Sequence, residues 1–206
     1  MKVIICGAGQ VGSGIAERLS SEGNSVSIID ASAELVQRAN DILEVRAVHG
    51  NAAHPDVLER AGAGEADMLI AVTLHDEVNM VACQVAHTLF DIPTKIARVR
   101  AQTYLQKEWH RLFARDAMPI DFIISPEVEV GNMILRRLQL PGAFDTVNFG
   151  EGKISVLGIV CGPECPVLET PLTQLANLFP DLPAITAAIV RNGRLFVPHG
   201  RDQLQE

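Results

Sequence analysis

No apolar run in this chain approaches the roughly 18 residues that a helix needs to cross a bilayer. The opening, MKVIICGAG, turns at once into a glycine loop, so it reads as a strand and not as a signal peptide. The cytoplasm is the compartment this implies. Basic residues are in deficit: 17 Lys and Arg stand against 25 Asp and Glu, a formal net charge of −8. No dense cationic cluster offsets this, which argues against nucleic-acid binding by phosphate neutralisation. The richest basic stretch, RVRAQTYLQKEWHRLFAR, is diluted by apolar and acidic residues and reads as a solvated helix face or an interface edge. There is no internal repeat and no low-complexity segment.

Cysteine is sparse, with four residues in 206. Cys6 ends an apolar strand and Cys83 lies on an apolar helix face, so both read as small core residues. Cys161 and Cys165 sit in CGPECP with three residues between them and no second pair after them. A zinc knuckle would need partners elsewhere, and only scattered His residues are available. The stretch reads as a turn between strands, with metal binding the lesser alternative.

What is present is a regular alternation. KVIIC, SVSIID, EVRAVHG, DMLIAVT, TKIARVR and IDFIIS are short apolar runs suited to strands buried on both faces. Helical patterns separate them: VGSGIAERLSSEG, ASAELVQRAND with Ser32 as N-cap, HPDVLERAGA with Pro55 in its first turn, DEVNMVACQVAHTLF, and YLQKEWHRLFARD. In the fourth, Val78, Val81, Ala82, Val85, Ala86 and Leu89 recur at helical spacing and predict its inward face. The alternation predicts an α/β, Rossmann-like, doubly wound parallel sheet over residues 1–124.

Residues 125–140, SPEVEVGNMILRRLQL, predict a helix capped by Ser125, with Pro126 at its first position and Glu127 and Glu129 at the positive end of its dipole. Its apolar residues go nearly all the way round. One face would cover the sheet, and the rest would meet either a second subunit or other parts of the monomer. After Pro141–Gly142 the pattern changes to a small α+β unit over 141–206. Two strands flank a glycine-containing turn, TPLTQLANLF forms a short helix, and a hairpin carries Asn192–Gly193 at its tip.

Gly7, Gly9 and Gly12 form G-x-G-x-x-G between the first strand and the first helix, the place where a dinucleotide fold needs it. Gly7 permits the tight turn, Gly9 lets the backbone approach phosphate, and Gly12 lets helix and strand pack closely. The N–H groups of Ala8, Gly9, Gln10 and Val11 would point at a pyrophosphate, helped by the helix dipole. Asp30 ends the second strand, 18 positions beyond Gly12, where a carboxylate binds the adenosine ribose hydroxyls and repels the extra phosphate of NADP. NAD(H) is therefore favoured over NADP(H); ATP or ADP presents the same ribose. The remaining strand ends offer Asn51 to an adenine edge, Thr73 to the nicotinamide-ribose side, and Arg98 to a phosphate or ribose. His75 falls close enough to approach the ligand.

Catalysis would need more. The single tyrosine, Tyr104, has Lys107 three positions on, whereas a short-chain reductase needs Tyr and Lys four apart on one helix face. Cys161, Cys165 and His199 form no convincing constellation. The chain reads as a nucleotide-binding fold without chemistry, with a small NAD-dependent oxidoreductase as the alternative and a redox or NAD sensor with another partner as a third reading.

The stretches MKVIICGAGQVGSGIAERLSSEGNSVSIID, VHGNAAHPDVLERAGAGEADMLIAVTLHDEVNMVAC and IARVR resemble the N-terminal unit of the regulator of potassium conductance (RCK, or KTN) family, including the regulators of Trk-type potassium uptake. ISVLGIV through RNGRLFVPHGRDQL resembles that family's small C-terminal domain, here expected to be incomplete. The resemblance implies a cytosolic regulatory subunit, not an enzyme, peripheral at the inner face of the membrane. It would assemble as dimers and then a gating ring on an integral-membrane potassium transporter. The implied ligand residues are Gly7 to Gly12, Asp30, Asn51, Thr73, Leu74 and Arg98, and residues 125–140 would cross between lobes. Relatives carry a second copy of the unit. A single glycine loop occurs here, so a truncated chain or a single-unit relative is expected.

Overall fold

A computed structural model describes residues 1–114, 117–139, 143–150, 153–180 and 184–205. Contacts divide the chain into two compact units, Met1–Asn132 and Met133–Glu206.

The first unit alternates strands and helices: β1 (Lys2–Cys6), α1 (Gln10–Ser21), β2 (Ser25–Asp30), α2 (Ala33–Ile42), β3 (Arg46–His49), α3 (Pro55–Arg60), β4 (Met68–Ala71), α4 (Asp76–Phe90), β5 (Thr94–Arg98) and β6 (Phe122–Ile124). The six strands form one sheet in the order β3-β2-β1-β4-β5-β6, parallel throughout. Strand order reverses between β1 and β4, so their carboxyl ends open a crevice. Because side chains alternate along a strand, β1 feeds both layers of the core. Ile4 and Cys6 join Leu58, Leu69, Met80, Cys83 and Val99 on one face. Val3 and Ile5 join Ala16, Val26, Ile28, Ala39 and Val72 on the other. The expected fold class is the observed one.

Two local expectations are corrected. The chain from Gln102 to Phe113 takes 3-10 turns, not an α-helix. Gln106 adopts extended backbone (φ −68°, ψ 145°) and divides them, while Tyr104, Leu105, Leu112 and Phe113 pack on the core. In α4 the buried positions are Asp76, Asn79, Met80, Ala82, Cys83 and Ala86. Val81 and Leu89 are exposed instead. The helix is turned by two polar residues that bond inward, a cause that hydrophobic spacing does not carry.

Lys95 on β5 is 3% exposed. Its ammonium pairs with Asp121 at 2.9 Å and donates to the carbonyls of Ile92 (3.0 Å) and Pro93 (3.3 Å). A buried cation held this way fastens β5 to the turn entering β6.

α5 (Pro126–Gln139) follows β6. Val130, Met133, Ile134 and Leu135 are exposed along it. The end of the expected 125–140 helix, at Leu140, and the Pro141–Gly142 turn lie outside the described residues.

The second unit holds two antiparallel pairs, β7 (Ala143–Phe149) with β8 (Ile154–Ile159) and β9 (Ile189–Arg191) with β10 (Arg194–Phe196), plus α6 (Leu172–Leu178). Asn192 and Gly193 both take positive φ (50° and 74°), as a two-residue hairpin turn requires. Among the described residues no helix is long and apolar enough to cross a membrane.

Lys95→Ala removes the buried ammonium and its bonds to Asp121 and to the Ile92 and Pro93 carbonyls, and should cost about 1–3 kcal/mol. Urea unfolding checks it, and an unchanged midpoint would show that the pair contributes nothing.

Candidate functional site

The carboxyl ends of β1, β2, β4 and β5 form a rim whose loops are tied to one another. Gly7 leaves β1 at φ 109°, a conformation that disfavours side chains, and a Cβ there would lie 3.0 Å from the Thr73 nitrogen. Its own N–H donates to the Ile29 carbonyl at 2.7 Å. A Cβ on Gly12 would sit 1.8 Å from the Gly7 carbonyl oxygen, so α1 reaches the sheet only with glycine there. A Cβ on Gly9 would meet nothing within 4 Å. Gly9 precedes α1 and supplies no side-chain cap. The first turn of α1 thus presents backbone donors and the positive end of its dipole beside open space.

Asp30 crosses from β2 to this loop. Its Oδ2 accepts the Ala8 N–H at 2.7 Å and its Oδ1 accepts the Ser32 N–H at 2.8 Å. This corrects the expectation for Ala8, whose N–H faces Asp30 and not a phosphate. A helix-capping role for Asp30 falls to Ser32, whose hydroxyl accepts from the Leu35 N–H. Each Asp30 oxygen keeps a second lone pair for a hydroxyl donor. The Asp30 carbonyl in turn accepts the Gly50 N–H at 2.9 Å. The next residue, Asn51, uses its Oδ1 to accept the Ala53 N–H at 2.9 Å. That bond fixes the loop and leaves the Asn51 amide N–H₂ to an outside partner.

The other half of the rim hangs from Asn79, which the sequence did not single out as a site residue. Asn79 is 0% exposed. Its Oδ1 accepts the Thr73 N–H (2.8 Å) and the Thr73 hydroxyl (2.7 Å). Its Nδ2 donates to the carbonyls of Thr73 (3.2 Å) and Arg98 (2.9 Å). One side chain therefore satisfies four groups and fixes the loop after β4 against the end of β5. The Arg98 guanidinium donates to the same Thr73 carbonyl. Asp76, 8% exposed, accepts the N–H groups of Arg100 and Ala101 through Oδ2. The signal in the sequence was Asp76 and Asn79 spaced by three, one helical turn apart at the start of α4. His75 immediately precedes α4 at its N-cap position, exposed and without a side-chain cap bond. Leu74 is 75% exposed on this rim, and Val11 is exposed on α1.

The expected residues thus occupy one continuous rim, from Asn51 past Asp30 and the glycine loop to Thr73, Leu74 and Arg98. The rim is rich in fixed backbone donors and carries the Asp30 carboxylate and the Arg98 guanidinium. Such an arrangement has the donors and acceptors that a phosphate and a sugar require. Among the described residues no group of three or more His, Cys, Asp or Glu is placed to hold a metal.

The model of the TrkA-N domain family matches residues 3–126. The chain is 65% identical over 205 residues to the Trk system potassium uptake protein TrkA of Azorhizobium caulinodans, covering 100% of this chain and 45% of that protein. It is 44% identical over 200 residues to its counterpart in Vibrio alginolyticus, covering 97% and 43%. The chain therefore spans less than half the length of these curated relatives. In fold it is similar to the TrkA-N domain of the inner membrane protein ybaL from Escherichia coli (TM-score 0.58, 22% identity, covering 66% of this chain and 96% of that one). It is similar also to the GsuK channel bound to NAD (TM-score 0.64, 15% identity, covering 98% and 35%).

Asn79→Ala leaves several buried groups unpaired and should cost about 3 kcal/mol or more. Thermal unfolding tests this, and hydrogen exchange should show the Thr73 amide losing protection first. Unchanged protection at Thr73 would contradict the role given to Asn79.

Proposed function

The chain belongs to the TrkA-N domain family, and from that premise we propose that it is a nucleotide-binding regulatory unit for a membrane potassium-uptake system. The ligand is NAD(H), or ATP and ADP, and it is held without being transformed. The observation that carries this reading is the first turn of α1, which has no side-chain cap and faces the open space above Gly9, with the Asp30 carboxylate fixed to the same loop.

In this reading the N–H groups of Gly9, Gln10 and Val11 hold the phosphates. Ala8 and Gly12 shape the loop, and Asp30 takes the adenosine ribose hydroxyls on its remaining lone pairs. Asn51 offers its amide donors to the adenine edge. Thr73, Leu74 and Arg98 lie on the side of the second ribose. The relatives named for potassium uptake support the biological setting, and structures of GsuK bound to NAD and to ADP support the ligand class.

A ligand shifts a two-state assembly only by binding one state more tightly than the other. The Asn79 bonds give such a difference a route, because movement of Thr73 is felt at once by α4 and β5. The exposed apolar residues of α4 and α5 support self-association into dimers and a higher ring. The partner is an integral-membrane potassium transporter subunit, which places the protein at the inner face of the membrane. In this scheme residues 1–124 bind the nucleotide, 125–140 cross over, and 141–206 form the small second domain.

Calorimetry with NAD+, NADH, ATP and ADP should show binding of at least one. Asp30→Ala should weaken it roughly 10- to 150-fold, the value of hydrogen bonds to a charged group. A Gly9→Ala chain should unfold at the wild-type temperature yet lose binding, because its added methyl occupies the phosphate space. Normal affinity in both variants would show that the pocket is elsewhere. NADH oxidation above background with a panel of carbonyl compounds would favour the oxidoreductase instead.

A further inference from the structure

Cys161 and Cys165 lie between β8 and α6, remote in sequence from the nucleotide rim. The Cys165 N–H donates to the Gly162 carbonyl at 2.9 Å, closing a tight turn that brings the second cysteine back beside the first. Within this turn the Cys165 side chain is near enough to Cys161 to perturb its thiol. Both residues are half-buried, with Pro163 and Glu164 exposed at the tip between them. Cys6 and Cys83 differ in kind: both are fully buried. Burial raises the Cys6 thiol far above its ordinary range and pushes the Cys83 thiol up to about 12. Thiol chemistry on the folded chain is therefore confined to the 161–165 turn.

We propose that Cys161 and Cys165 form a reversible dithiol–disulfide site whose substrate is a small disulfide of the glutathione class. The thiolate of one cysteine attacks the small disulfide and one small thiolate leaves, giving a mixed disulfide. The second cysteine's thiolate then attacks the protein sulfur of that bond, and the second small thiolate leaves. The two protein thiols lose two electrons and two protons, and the small disulfide takes them up as two thiols. The adjacent sulfur makes the second step intramolecular, so the mixed disulfide does not accumulate. Partial burial, together with the neighbouring sulfur, holds the Cys161 thiol above its usual range. Little thiolate is present at neutral pH, and oxidation quickens as pH rises.

The bond has a structural consequence. The Cys165 carbonyl accepts the Leu168 N–H, and the following segment is laced to residues near the end of the chain: Glu169 N–H to the Leu204 carbonyl (2.8 Å) and Leu172 N–H to the Asp202 carbonyl (3.0 Å). Oxidation staples the exit of β8 to this lacing. A tetrahedral metal would use the two sulfurs as only half of its set.

The full chain is incubated with oxidised glutathione, alkylated without denaturation, and weighed intact. The expected result is loss of two hydrogen masses, a peptide map linking Cys161 to Cys165, full reversal by dithiothreitol, and a rate that rises with pH. Cys161→Ser and Cys165→Ser should each hold one glutathione instead. Stable glutathione adducts on the wild-type chain, two thiols still free to alkylate, or bonds only between chains would each overturn the proposal. The wild-type peptide map decides this alone should either variant fail to fold.

Discussion

A single buried amide holds the loop on which the site depends. An amide side chain with no exposure to water must find partners for its oxygen and nitrogen inside the protein, because an unpaired buried polar group costs about 1–3 kcal/mol. Asn79 finds them all in two neighbouring strand ends: the N–H, hydroxyl and carbonyl of Thr73 and the carbonyl of Arg98. Thr73 in turn lies against Gly7, whose positive φ starts the glycine loop. The geometry of the crevice between β1 and β4 is thus set by polar bonds laid over an apolar sheet. Those bonds are directional, so they fix positions where hydrophobic contact alone would permit several.

Asp30, in the function proposed, serves structure and recognition with the same groups. Its carboxylate fastens the end of β2 to the glycine loop through Ala8 and starts the next turn through Ser32. These bonds aim the oxygens before any ligand arrives. A preorganised carboxylate loses less freedom on binding than a mobile one. A ligand held by Asp30, as proposed, would couple its contact to the geometry of the loop, the property a regulatory unit requires of its pocket.

Much of this was legible in the sequence because parallel strands buried on both faces read as short, continuous apolar runs. KVIIC and DMLIAVT announced β1 and β4, and the glycines placed between β1 and α1 announced the rim. Asn192–Gly193 announced its hairpin, since few residues other than Asn, Asp and Gly accept a positive φ in succession. The inward face of α4 was not legible. Spacing counts Val81 and Leu89 as core, yet the helix turns to bury Asp76 and Asn79, and only the positions of their partners reveal why. The direction of the Ala8 N–H was hidden for the same reason: its acceptor lies 22 residues further along the chain. The 3-10 turns after β5 follow from where Tyr104 and Phe113 must pack, a tertiary demand with no local signature.

The account comes down to whether a nucleotide lies over the first turn of α1 with its sugar on Asp30. A crystal structure of the chain grown with NADH tests this most directly. The account predicts pyrophosphate density against the N–H groups of Gly9, Gln10 and Val11, and both adenosine ribose hydroxyls within hydrogen-bonding distance of the Asp30 carboxylate. An empty crevice, or a nucleotide bound elsewhere while Asp30 contacts only Ala8 and Ser32, would contradict it.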